Sequence, residues 1–228
     1  MLPRLNHFGL HPMDWIAKPL DIILHLNLYL GQLADAYGSW IYALLFLIIF
    51  SETGLVVTPF LPGDALLFTV GTLTAEGGPL NLPLILTLLT VAGILGHTVN
   101  YWIGSAIGHK LFNNPKSRIF KRKHLDQTHA FYERHGAKTI MLSRFVPLIR
   151  TFAPFVAGMS LMSYKKFFAY NVVGAFVWVF GLGLIGHFFG NIPYVQKNYS
   201  LVILGIVIIS MIPPGVEILR GWLGQSKA

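Results

Sequence analysis

The sequence predicts an all-α integral membrane protein built as an inverted repeat. The chain of 228 residues is 54% hydrophobic and only 11% charged, with a mean hydropathy of +0.61, so it has too little charge for the surface of a soluble domain. Apolar segments of membrane-spanning length recur along it. Two further apolar stretches, at matching places in the two halves, are interrupted by prolines and charged residues. Together these three observations define the predicted class.

The N-terminal segment, residues 1–39, is not expected to cross the membrane. Within it, residues 20–36 mix leucines and isoleucines with polar side chains such as Asp21, His25 and Asp35. Such a mixture is too polar to span a bilayer comfortably. We therefore expect an amphipathic helix that lies at the membrane interface.

The first repeat covers residues 40–112 and opens with a broken stretch, 40–75. This stretch is long enough to span the membrane, but Pro59, Pro62 and Gly63 lie in its middle. A Pro-x-x-Pro-Gly run cannot continue a helix. The chain is therefore expected to turn back near membrane depth as a re-entrant hairpin.

A clean span, residues 82–108, and a basic loop, residues 113–138, come next. Eight of the 17 Lys and Arg residues lie between 110 and 138. The positive-inside rule assigns this stretch and the C-terminus to the cytoplasm. A nucleic-acid-binding patch is the competing interpretation, but apolar segments of membrane length flank the basic stretch on both sides. Anionic lipid is the expected partner of these charges, and nucleic acid is not.

The second repeat, residues 139–190, has the same order of elements. A broken hairpin at 139–162 is followed by a span at 167–190, and a C-terminal span at 200–220 completes the chain. The residues expected to break the second hairpin are Pro147, Pro154 and Gly158. Because a single full span separates the two hairpins, the second must enter the membrane from the opposite side, which makes the repeat inverted.

Four charged residues lie inside the two broken hairpins. Glu52 and Asp64 are the carboxylates of the first hairpin, and Arg144 and Arg150 are the cations of the second. Each costs at least about 2.5–3.5 kcal/mol at membrane depth on insertion scales. Buried salt bridges that hold the hairpins together are one explanation, although a buried ion pair seldom repays its desolvation. Substrate binding and ion coupling are the other, and both explanations predict that the acidic and basic residues lie close together.

The functional explanation assigns different roles to the two carboxylates and the two arginines. Arginine keeps its charge and presents a planar fork of donors that suits phosphate oxygens, so the arginines are the candidate phosphate-binding residues. Desolvation disfavours the charged form of a carboxyl group, so the carboxylates are candidate proton carriers. His97 and Asn100 lie in the middle of the first span. They predict either an interhelical hydrogen bond or a proton relay, and we add His97 to the proton-coupling candidates.

Other motifs point away from enzyme chemistry. Residues 181–186 match the GxGxxG dinucleotide pattern, but they lie inside an apolar span with no preceding strand, which favours helix packing. Cysteine is absent, so no thiolate metal site is available, and we expect neither metal nor cofactor. A membrane lipid phosphatase would need a nucleophilic histidine beside the arginines, and the hairpin 139–162 contains none. We therefore do not expect an enzyme.

Three motifs resemble those of the DedA family of bacterial inner-membrane proteins. They are Glu-Thr-Gly at 52–54, Pro-Phe-Leu-Pro-Gly-Asp at 59–64 and Ser-Arg-Phe-Val-Pro-Leu-Ile-Arg-Thr-Phe-Ala-Pro-Phe-Val-Ala-Gly-Met at 143–159. The similarity runs from about residue 20 to 220. It implies re-entrant hairpins in inverted repeat, dependence on the proton motive force and lipid translocation. It also assigns the family's acidic pair and essential arginines to the four charged residues named above. Where relatives commonly carry Gly-Asp, this chain carries Gly96-His97.

The function that this resemblance implies is translocation of undecaprenyl phosphate for recycling of the envelope carrier lipid, driven by the proton motive force. A general phospholipid flippase or scramblase is one alternative. A proton-coupled cation transporter in pH or osmotic homeostasis is the other. The expected partners are an anionic lipid phosphate, protons and membrane lipids, with a homo-oligomer left open. The expected location is the bacterial inner membrane, crossed several times.

Overall fold

The computed structural model describes residues 21–55, 63–75, 78–112, 138–160 and 162–210, and every regular element in these ranges is helical. In chain order the helices are α1 (Leu26–Tyr37), α2 (Trp40–Gly54), α3 (Gly63–Thr72), α4 (Leu82–Phe112), α5 (Lys138–Ser143), α6 (Pro147–Met159), α7 (Tyr164–Phe189), α8 (Pro193–Lys197) and α9 (Tyr199–Ser210). The all-helical prediction is confirmed for this part of the chain. The expected breakers Pro59 and Pro62, the basic loop up to residue 137 and residues 211–220 of the last predicted span lie outside the described residues.

Within the described residues, two helices are long and apolar enough to cross a bilayer. The apolar stretches Leu82–Ile107 in α4 and Tyr164–Phe189 in α7 each contain 26 residues. At about 1.5 Å per residue each reaches about 39 Å, which exceeds a hydrocarbon core of about 30 Å. Large apolar side chains such as Leu84 and Phe176 are half exposed on their outer faces. An outer surface of this kind needs a lipid or protein neighbour.

The helices of both broken segments stop and restart near the expected residues. In the first half α2 ends at Gly54 and α3 begins at Gly63. In the second half α5 ends at Ser143 and α6 begins at Pro147. Proline suits the first position of a helix because its missing N–H would have no intrahelical partner there. Gly63 and Pro147 therefore mark the points where new helices start.

Pro154 and Gly158 do not break the second hairpin, contrary to expectation. Helix α6 runs through both residues and ends at Met159. Proline at 154 removes one intrahelical hydrogen bond, and helices packed among membrane neighbours tolerate such a loss. Gly158 has a packing role instead: a Cβ there would lie 2.0 Å from the carbonyl oxygen of Tyr101 in α4. The break in this half therefore lies earlier, between Ser143 and Pro147.

The short helix of each half packs against the long helix of the other half. Helix α3 lies on α7, where a Cβ on Gly186 would be 2.0 Å from the carbonyl oxygen of Phe68. Helix α6 lies on α4, where a Cβ on Gly104 would be 2.0 Å from the carbonyl oxygen of Phe155. The two contacts have the same form, glycine against backbone. Gly183 and Gly186 of the GxGxxG pattern therefore serve helix packing, as the sequence predicted.

Helix α1 packs against α2 and α3 through one face. Leu26, Leu30 and Ala34 recur every four residues and are buried. Leu28, on another face, is 58% exposed. The helix ends at Tyr37 and is followed by Gly38, whose φ of 54° is one that glycine adopts freely. The predicted amphipathic segment is thus a helix that covers α2 and α3.

Candidate functional site

Arg150 connects the two halves of the protein through Glu52 and Asp64 of the first half. Its Nη2 contacts Oε1 of Glu52, and its Nη1 lies 3.0 Å from Oδ1 of Asp64. Glu52 is 0% exposed, Asp64 9% and Arg150 2%. The predicted approach of the acidic and basic residues is confirmed for these three side chains.

Helix ends bring these groups together. Glu52 lies in the last turn of α2, Asp64 in the first turn of α3 and Arg150 in the first turn of α6. A carboxylate at a helix N-terminus is favoured by the helix dipole, whereas a cation there is not. The Gly63 amide donates to Oε1 of Glu52 at 3.2 Å. A Cβ at this position would lie 2.2 Å from Oε2 of Glu52, so any other residue would displace the carboxylate from its observed position.

Asp64 has partners that the sequence analysis did not identify. The indole N–H of Trp178 donates to its Oδ1 at 2.8 Å, and the Ser210 hydroxyl donates to its Oδ2 at 2.7 Å. The guanidinium carbon of Arg150 lies 4.9 Å from the centre of the Trp178 ring, within cation–π range. Tryptophan is usually enriched at the ends of membrane spans. The position of Trp178 in the middle of α7 could therefore have identified it from the sequence as a residue of the site.

Arg144 contacts none of the carboxylates of the described residues. Its Nη2 donates to the carbonyl oxygen of Gly93 at 3.0 Å and to Oδ1 of Asn171 at 2.5 Å. Its Nε and Nη1 have no hydrogen-bond partner, although the side chain is fully buried. Gly93 and Gly174 make room for the guanidinium, because Cβ atoms there would lie 3.3 Å from its Nη1 and 3.2 Å from its Cδ. The sequence analysis did not single out Asn171, although a polar side chain inside an apolar span could have identified it.

His97 lies one turn after Gly93 on the same face of α4 and is fully buried. Its ring interacts electrostatically with Arg144 and Arg150. Neither ring nitrogen has a hydrogen-bond partner. Asn171 of α7 approaches the ring, and beyond its bonds to Arg144 and to the carbonyl oxygen of residue 94 its amide keeps one further N–H and one further lone pair. The interhelical hydrogen bond and the proton relay therefore both stay predictions for His97.

Asn100, by contrast, does make the interhelical contacts expected of a polar residue in a span. Its amide nitrogen donates to the carbonyl oxygens of Thr53 at 3.3 Å and Thr151 at 2.8 Å. Each carbonyl lies next to a charged residue in sequence, one after Glu52 and the other after Arg150. Asn100 thereby holds α2 and α6 at the level where their charged groups meet.

The unpartnered buried atoms of the described residues are concentrated in this one region. They are Oε2 of Glu52, both ring nitrogens of His97, Oδ1 of Asn100, Nε and Nη1 of Arg144, and Nε of Arg150. Each buried polar atom without a partner costs about 1–3 kcal/mol, and native proteins contain few of them. Such a concentration is typical of a polar binding site. With His97 neutral, four of these seven atoms are donors, and the three that belong to arginines suit an anion. No three His, Asp or Glu side chains of the described residues come together as a metal site would need.

Fold and site define a helical membrane protein in which broken helices from two halves bring buried charges together. A family model for the VTT domain matches residues 61–188. Protein DedA of Escherichia coli K12 is 56% identical over 217 residues, which cover 95% of this chain and 99% of that protein. The uncharacterized membrane protein Rv0364 of Mycobacterium tuberculosis is 39% identical, with 95% of both chains covered. The inner membrane protein YqjA of E. coli is 35% identical, with 69% of this chain and 71% of that protein covered.

The chain belongs to the DedA family of membrane proteins, as its motifs predicted. No solved structure matches it.

Proposed function

We propose that this protein is a transporter that carries an anionic lipid phosphate across the bacterial inner membrane, coupled to proton entry. The substrate favoured by the family resemblance is undecaprenyl phosphate, returned from the outer to the inner leaflet. The observation that carries the proposal is the buried guanidinium of Arg144, which has two unpartnered nitrogens and no carboxylate neighbour among the described residues. An enzymatic activity is not part of the proposal.

The two arginines have different roles in this proposal. Arg144 is the resident phosphate-binding group, since an uncompensated buried cation is costly and an incoming anion would neutralise it. The Nε and terminal nitrogens of a guanidinium bind two phosphate oxygens side by side. Arg150 is held by Glu52 and Asp64 in the state described here. Arg150 also binds the phosphate once Glu52 and Asp64 release its guanidinium.

Protons provide that release. A protonated carboxyl group is neutral, so it no longer competes with phosphate for Arg150. The site holds two carboxylates and two arginines, and with His97 neutral these formal charges cancel. A phosphate of about −1.5 to −2 charges would leave the buried site strongly negative unless protons entered with it. Glu52, Asp64 and His97 are the candidate acceptors of these protons.

The proposed topology is the inverted repeat of two re-entrant hairpins. It is supported by the reciprocal packing of α3 on α7 and of α6 on α4, because this exchange is what two halves related by a twofold axis produce. The basic stretch 110–138 and the C-terminus face the cytoplasm in this arrangement. The charged cluster then lies between the halves, where alternating access from the two sides takes place.

The geometry favours this function over a proton-coupled cation transporter. A cation site needs carboxylates free to bind the ion, whereas both carboxylates here are paired with Arg150. A general phospholipid flippase or scramblase would use the same arginine. Lipid specificity and dependence on the proton gradient distinguish that alternative from the proposed transporter.

Transport in proteoliposomes tests the proposal. The purified protein is reconstituted with either undecaprenyl phosphate or a phospholipid, and movement between leaflets is followed with and without an imposed pH gradient and membrane potential. We expect movement of the polyprenyl phosphate that the gradients accelerate. Equal, gradient-independent movement of both lipids would favour a scramblase, and movement of neither would refute lipid transport.

A further inference from the structure

A partly open apolar cavity lies directly beside the charged cluster. It has a volume of about 220 Å³ and lies between α1 on one side and α2 and α3 on the other. Leu26, Leu30 and Leu33 of α1 form one wall, and Ile48 and Leu66 form the opposite wall. Its lining also includes Glu52 and Gly63, two residues of the cluster that binds Arg150.

We propose that this cavity, the α1 cavity, binds the hydrocarbon chain of the transported lipid next to its phosphate. The inference rests on the proposed function and adds a binding site for the part of the substrate that the charged cluster does not touch. It also gives α1 a function, as the wall that separates the bound chain from the bilayer.

The size and chemistry of the cavity fit a hydrocarbon occupant. Water is a poor occupant, since it needs several polar partners and the walls are almost entirely apolar. An apolar cavity of about 150 Å³ stays dry and binds benzene in a soluble protein. The α1 cavity is larger, so it accommodates a branched chain segment rather than a single methyl group.

The position of the cavity identifies the transported lipid, rather than a bilayer lipid, as the occupant. Glu52 belongs both to the cavity wall and to the ion pair with Arg150. One of its oxygens, Oε2, is buried without a partner. A lipid phosphate that displaces Glu52 from Arg150 has its first chain carbons at this wall, so headgroup and chain occupy neighbouring parts of one site.

Short, water-soluble prenyl phosphates test the inference. Binding of dimethylallyl phosphate (one isoprene unit) and geranyl phosphate (two units) to the purified protein is compared. Each buried methylene strengthens binding about fourfold, so burial of only two further carbons gives more than tenfold tighter binding of geranyl phosphate. Geraniol, which has the chain without the phosphate, should compete weakly.

Variants in α1 locate the effect. Leu33→Trp fills the cavity and should reduce the preference for geranyl phosphate to less than threefold, while binding of dimethylallyl phosphate persists. Leu33→Ala enlarges the cavity and should preserve or increase the preference for geranyl phosphate. This result would show that the loss in Leu33→Trp comes from filling the cavity and not from any change at residue 33. Leu28→Trp, on the exposed face of the same helix, is the matched control and should behave like the wild type.

The possible failures are distinguishable. If the wild type binds neither phosphate, the proposed function fails. If it binds both but the preference is absent, or is unchanged in Leu33→Trp, the phosphate site stands and the α1 cavity is not the chain site. Equal competition by geraniol would show that the cavity takes any hydrocarbon, which would also overturn the inference.

Discussion

Replacing Arg150 by an uncharged side chain separates a structural from a transport role for the buried cluster. Arg150→Met leaves two buried carboxylates without their cation. Removing one partner of a buried ion pair costs about 3–5 kcal/mol, which lowers the folded-to-unfolded ratio roughly 150- to 4000-fold. The loss should be smaller in acid, because protonated carboxyl groups no longer need the guanidinium.

The contacts predict which second substitution restores stability. Asp64 keeps hydrogen bonds from Trp178 and Ser210 when Arg150 is gone, whereas Glu52 keeps one from the Gly63 amide. Adding Glu52→Gln to Arg150→Met should therefore recover more stability than adding Asp64→Asn. The triple variant, with all three charges removed, should approach the wild type, since neutral replacements of buried ion networks are often tolerated.

Thermal unfolding in detergent at pH 5 and pH 8, together with transport in proteoliposomes, provides the assay. A stable triple variant without transport would assign the cluster to function. A stable triple variant with normal transport would make it a structural salt bridge. A loss below about 1 kcal/mol in Arg150→Met at pH 8, or equal recovery by the two double variants, would refute the reasoning from the contacts.

Three further predictions follow from the same geometry. Arg144→Lys should reduce lipid phosphate transport at least tenfold with little change in thermal stability, because an ammonium supplies charge without the donor fork. Glu52→Gln and Asp64→Asn should retain headgroup binding but lose accumulation against a gradient, which vesicle uptake under an imposed potential measures. Gly104→Ala should destabilise the protein by about 1–3 kcal/mol, because its Cβ would lie 2.0 Å from a carbonyl oxygen of α6. Gly181→Ala, with open space around it, should be neutral or gain about 1 kcal/mol in thermal unfolding.

Each of these predictions has a contrary outcome. Full transport activity of Arg144→Lys would rule out phosphate binding through the donor fork of this arginine. Unimpaired uphill transport in both amide variants would remove proton coupling through these carboxylates, since each unit of charge costs about 2.3 kcal/mol per 100 mV. Equal stability of the two alanine variants would show that α4 and α6 are not in close contact.

The helical class, the long spans and the start of α3 at Gly63 could be predicted because their signals are local. A run of apolar residues of fixed length is enough to predict a span. Gly63 and Pro147 mark helix starts because of their own backbone chemistry. Pro154 shows the limit of that logic, since a proline breaks a helix only where neighbouring groups do not compensate for the lost hydrogen bond.

The sequence by itself also determined that Glu52, Asp64 and the two arginines needed buried partners, because charge at membrane depth is costly wherever it lies. Only the tertiary structure decided which groups those partners are. Arg150 and Asp64 are 86 positions apart, and Asp64 and Trp178 are 114 apart. Such contacts depend on the rotation and depth of packed helices, which side-chain interlocking and close glycine contacts determine. The same packing left Arg144 without a carboxylate beside it and placed the apolar cavity next to Glu52.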